Sequence, residues 1–100
     1  MANMKETGIK DIVLDEIREY AKRFQLEKVI LFGSRARGDY KEKSDIDLAV
    51  SGGEIPAFSV MVDESTSTLL KFDIVNLDAS VQAELLQSIR EEGIVLYEKI

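Results

Sequence analysis

A chain of 100 residues with 13 basic and 19 acidic side chains, no cysteine and no histidine has room for one small domain that buries about two thirds of its unfolded surface. Its net charge of -6 argues against a module that grips duplex nucleic acid by neutralising many phosphates. The missing residue types exclude disulfide frameworks, thiolate zinc sites, cysteine nucleophiles and any Ser-His-Asp triad, so a metal here is a hard cation held by oxygen, with magnesium favoured.

No apolar run approaches the roughly 20 residues that span a bilayer, and "MANMKETGIK" lacks the apolar stretch of a signal peptide. The expectation is a cytoplasmic protein. In "IKDIVLDEIREYAKRF", Ile9, Ile12, Val13, Ile17, Tyr20, Ala21 and Phe24 recur at three- and four-residue steps, which predicts an amphipathic helix of about four turns. "KVILFG" reads as a short buried strand stopped by Gly33. "SRARGDYKEKS" is polar and predicts a loop, or a loop with a short exposed helix, in which Tyr40, Lys41, Glu42 and Lys43 face water.

In "DIDLAV", strand alternation places Ile46, Leu48 and Val50 on one face and Asp45, Asp47 and Ala49 on the other. "SGGEIP" predicts a turn, and "AFSVMVDESTSTLL" a helix weakened by its serine and threonine cluster. "KFDIVNL" is a third strand, with Phe72, Ile74 and Asn76 opposite Asp73, Val75 and Leu77. "DASVQAELLQSIREEG" follows as a helix, capped by Asp78, striped by Val81, Leu85, Leu86 and Ile89 and ended by Gly93. "IVLYEKI" predicts a last strand. Without repeats or a linker, residues 1–100 read as a single domain of α/β (α+β) class, a small mixed sheet with helices packed on it in two layers.

Residues two apart on a strand share a face about 6.6 Å apart. Asp45 and Asp47 are thereby placed to hold the pair of metal ions, about 3.5 to 4 Å apart, of a phosphoryl-transfer site. Asp73, on another strand between Phe72 and Ile74, has no packing reason to be acidic and is the candidate third carboxylate; Asp78 is a weaker rival, since capping accounts for it. The bland alternative is an acidic strand face turned to water. Three carboxylates on one face would repel one another and raise their pKa values unless cations bind. Gly33 permits close approach of a ligand to the backbone, Ser34 offers an amide and a hydroxyl to phosphate, and Arg35 and Arg37 can supply positive charge or form surface ion pairs. Gly33 to Gly38 matches only the first part of a Walker A loop, since Asp39 and Tyr40 follow where lysine and serine or threonine are required.

Gly33-Ser34, ten intervening residues, Asp45-Ile46-Asp47 and a later Asp73 resemble the nucleotidyltransferase superfamily that includes DNA polymerase β and the kanamycin nucleotidyltransferases. Within it, "GSRARGDYKEKSDIDLAV" resembles the minimal nucleotidyltransferases, many of them antitoxins paired with HEPN-domain proteins, and the likeness covers most of the chain. The resemblance implies that Gly33 and Ser34 hold a triphosphate, that Asp45 and Asp47 bind two magnesium ions, and that Asp73 completes the site and helps activate the attacking hydroxyl. It implies phosphate contact for Arg35 and Arg37, and it groups Ser44, ahead of the first aspartate, with the nucleotide-binding residues as a shaper of the strand's approach.

The implied reaction moves a nucleoside monophosphate, from ATP by preference, to a hydroxyl with release of pyrophosphate. Larger relatives carry an extra acceptor domain, so the missing pocket is expected from a second copy or another protein, here a HEPN-domain toxin. Two alternatives stand beside this one: a subunit that modifies a small molecule of the aminoglycoside type, and an antitoxin that masks its partner without catalysis.

Overall fold

A computed structural model describes residues 6–100. Its elements are α1 (Asp11–Arg23), β1 (Lys28–Phe32), α2 (Ser34–Arg37), β2 (Ile46–Ser51), α3 (Ile55–Ser65), β3 (Phe72–Asn76), α4 (Ala83–Glu92) and β4 (Ile94–Glu98). The strands form one mixed sheet in the order β3-β2-β1-β4. β1 runs antiparallel to both β2 and β4, and β2 runs parallel to β3. The α/β class with helices packed on a small mixed sheet is therefore what the chain adopts.

The alternation read from the strands sorts their side chains as expected, but both faces are covered. Val29, Leu31, Ile46, Leu48 and Val50 pack with Val13, Leu14, Ile17 and Ala21 of α1 and with Ile55, Phe58 and Val62 of α3. On the opposite face, Phe32 and Ala49 pack with Ile89 of α4, joined by Ile30, Val75, Leu77 and Leu85. Three layers thus replace the expected two. The reason is that Ile30, Phe32, Ala49 and Val75 leave that face apolar along most of its length, and an apolar sheet face needs a helix against it.

Several boundaries differ from the sequence expectations for local physical reasons. α1 begins at Asp11, and Leu14 joins its buried stripe while Ile12 stays 55 % exposed. Pro56 lies in the first turn of α3, where its missing N–H costs nothing. That helix stops at Ser65, within the serine and threonine cluster, and the Thr66 hydroxyl donates to the Val62 carbonyl at 2.6 Å. Asp78 does not cap α4, which starts at Ala83 after Gln82; instead its carboxylate accepts the Gly52 N–H at 2.8 Å. Val81 consequently lies ahead of the helix. Among the described residues, no helix is long and apolar enough to cross a membrane.

Candidate active site

The candidate residues meet where β1 ends and where β2 and β3 begin. Antiparallel pairing sets Phe32 opposite Asp47, and parallel pairing sets Asp47 opposite Asp73. Asp47 therefore occupies a central strand with Asp73 on its edge neighbour, one interstrand spacing of about 4.8 Å away. Asp45 immediately precedes β2 and is exposed, as is Asp73, whereas Asp47 is half-buried.

Gly33 closes the other side of Asp47. Its φ of 76° and ψ of −157° belong to a region open essentially to glycine alone. A Cβ there would strike the Asp47 carboxylate. Turn and aspartate thus fit against each other only because residue 33 has no side chain. From Gly33 the chain enters the single turn of α2, whose Ala36 and Arg37 N–H groups donate to the Gly33 carbonyl at 3.1 and 3.0 Å.

Electrostatics mark Asp47 apart from its neighbours. Burial, then the Asp73 and Asp45 charges, push its carboxyl up to about 6, against weaker opposing pulls from Arg37 and Arg35. Among the described residues no three acidic side chains already converge as a cation cage. The expected three-carboxylate grip is therefore not drawn together among the described residues. The donor set still suits a hard divalent ion, because every donor is a carboxylate oxygen.

The two arginines part company. Arg37 is exposed, with Nε donating to Asp39 at 3.2 Å and Nη1 to Glu92 of α4 at 3.1 Å. These hydrogen bonds, Asp39 first, raise its pKa above the ordinary guanidinium value. Exposed pairs of this kind hold a side chain weakly, so Arg37 can exchange them for another anion at the rim of the site.

Arg35 corrects the expectation of a phosphate contact. It is 1 % exposed and turned inward, with its donors committed to the carbonyls of Ser44, Thr7, Glu42 and Lys41. Tyr40, expected in water, is half-buried with its ring 4.8 Å below this guanidinium. Ser44 braces the same loop, its hydroxyl accepting the Lys41 N–H at 2.8 Å. Thr7, Gly8 and Tyr40 are the supporting residues that sequence reasoning missed; none belongs to a periodic pattern that could have revealed it.

Residues 15–100 match the family described as "Polymerase beta, Nucleotidyltransferase". The chain belongs to this nucleotidyltransferase family. The enzyme is 39 % identical to a Methanocaldococcus jannaschii protein named "Putative protein adenylyltransferase", over 93 % of this chain and 98 % of that one. It is 29 % identical to "Protein adenylyltransferase MntA" of Thermococcus cleftensis, over 92 % and 96 % of the two chains. In fold the nucleotidyltransferase is similar to a chain in a crystal structure described as "the toxin-antitoxin with AMP-PNP", with a TM-score of 0.68 and 23 % identity over 86 % of this chain and 73 % of that one.

Proposed function

We propose that this nucleotidyltransferase is a magnesium-dependent adenylyltransferase that moves AMP from ATP to a hydroxyl of a partner protein, the HEPN-domain toxin of a toxin-antitoxin pair, in the cytoplasm. The observation that carries the reading is the register of Asp47 beside Asp73, with Gly33 fitted against the Asp47 carboxylate. The names of the relatives, protein adenylyltransferases, support the donor and the class of acceptor. The toxin-antitoxin neighbour supports the partner.

In this reading Gly33 and Ser34 receive the triphosphate, with Arg37 free to turn toward it from the rim. Asp45, Asp47 and Asp73 hold magnesium, which when bound offsets the charge that develops on the α-phosphate and on departing pyrophosphate. The acceptor oxygen forms a bond to the α-phosphorus, the bond from that phosphorus to the oxygen bridging the β-phosphate breaks, and pyrophosphate leaves with the electron pair. Asp73, exposed on the edge strand, takes the hydroxyl proton as the new bond forms. Ser44 acts behind the site, bracing the residues that lead into Asp45.

Incubation with α-phosphate-labelled ATP, magnesium and an extract of the native cells tests the reading against the double variant Asp45→Asn/Asp47→Asn. Label on one protein band with wild type, reduced at least about 1,000-fold in the variant, is the expected result. Label on a small molecule would move the acceptor to that class. Absence of label, with the partner bound unmodified, would replace catalysis by masking.

A further inference from the structure

Arg35 is a buried guanidinium with no carboxylate against it: the ion pairs among the described residues involve Arg18, Arg23, Lys28 and Arg37. A charge taken out of water is costly unless its donors are satisfied. Here backbone carbonyls do so: Thr7 at 2.9 Å, Ser44 at 3.0 Å, Glu42 at 3.1 Å and Lys41 at 3.5 Å. The Tyr40 ring supplies a cation-π face at 4.8 Å. Thr7 is itself 4 % exposed. Gly8 crosses directly over the pair with a φ of +72°, and a Cβ there would strike the Tyr40 ring and the Arg35 guanidinium.

These contacts join three stretches that are separate in sequence. One is the Thr7–Gly8 strap; a second is the loop 40–44 that delivers Asp45; the third is α2, which begins at Ser34 directly after Gly33 and carries Arg35 itself. Filling this space would require only an apolar side chain. A planar fork of five donors does more, because it fixes the carbonyls at set positions relative to one another.

We propose that Arg35 is a positioning residue, a bolt that holds the Gly33–Ser34 turn and the loop leading to Asp45 at a fixed spacing, with the Thr7–Gly8 strap as its cover. The inference rests on the nucleotide site proposed above. Arg35 does not touch the nucleotide; it sets the geometry of the groups that do. Supporting residues of this kind typically alter affinity or activity by about 10- to 100-fold when changed.

The test compares Arg35→Lys, Arg35→Ala and Gly8→Ala with wild type at a temperature where circular dichroism shows each folded. Magnesium-ATP affinity is read by calorimetry, and amide exchange over residues 41–44 is read without nucleotide. A lysine keeps the charge but cannot span the carbonyls, so Arg35→Lys is expected to bind at least about tenfold more weakly and to exchange faster over residues 41–44. Gly8→Ala, which keeps the arginine itself but drives a Cβ against its guanidinium and the Tyr40 ring, should move both readouts the same way. Guanidinium ion added to Arg35→Ala should restore binding toward the wild-type value, which a general loss of stability would not allow. A folded Arg35→Lys protein with wild-type affinity and exchange would overturn the proposal alone. Wild-type protein that binds no magnesium-ATP would overturn the nucleotide reading and the proposed coupling with it.

Discussion

On one face of the sheet Val13, Ile17, Phe58 and Val62 meet Val29, Leu31, Leu48 and Val50, and none of the eight is more than 1 % exposed. On the other face, α4 covers Phe32 and Ala49 through Ile89 and leaves Asp45 and Asp73 open to water with Asp47 half-buried beside them. The same three strands β1, β2 and β3 build both faces. Side chains two residues apart on one strand, Asp47 and Ala49, therefore differ in burial, the first half-exposed beyond α4 and the second packed in the core with Ile89. The complete face carries most of the apolar packing, whereas the incomplete one leaves its carboxylates uncovered.

Truncating the complete face should produce the largest stability loss. Phe58, fully buried between α1 and the sheet, should cost about 3–5 kcal/mol when changed to Ala, the lost transfer energy plus the cavity left behind. Urea denaturation reads this directly. A loss below about 1 kcal/mol would mean that the α3 layer contributes little and that the contrast between the faces is false. Next in size, Gly33→Ala forces a side chain into a glycine-only conformation and against the Asp47 carboxylate. The expected strain is about 1–3 kcal/mol, and nucleotide transfer should fall further than stability does. Equal activity at wild-type stability would show that turn and aspartate are not fitted together.

The asymmetry between the faces explains what sequence reading could and could not reach. The placement of Asp47 beside Asp73 at one end of the sheet is legible because a period of two isolates the aspartates on a face whose other positions are apolar, and that of Gly33 because it ends an apolar strand. The third layer was not, since Leu85 and Ile89 form a stripe that could have packed on either face of the sheet. Asp78 looked like a helix cap because it stands at the right kind of distance ahead of an apolar stripe; its partner, the Gly52 N–H, is reached only through the tertiary fold. Arg35 and Arg37 are indistinguishable in composition and two residues apart. Their opposite fates follow from the direction of one helical turn, with Arg35 pointing under Tyr40 and Arg37 toward Glu92, and no spacing rule encodes that.

The smallest effect concerns pH and sharpens the contrast most directly. Asp47 has its carboxyl raised from 3.8 to about 6 by burial and by Asp73 and Asp45, so in metal-free protein the folded state holds its proton over a range where the unfolded chain has released it. The folded state then binds more protons than the unfolded one, and stability must fall as pH rises through that range. Below about pH 4 both states are protonated and above about 6 both are ionised, so the change lies between these values and the deficit persists beyond them. Asp47→Asn removes the titrating group, so its stability relative to wild type should grow as pH rises from 4 to 6.5 in EDTA. Added magnesium should narrow the difference by stabilising the ionised wild type. A difference that does not change with pH would mean that neither burial nor the neighbouring Asp73 and Asp45 charges raise the Asp47 carboxyl, and the uncovered face would then be an ordinary solvated strand.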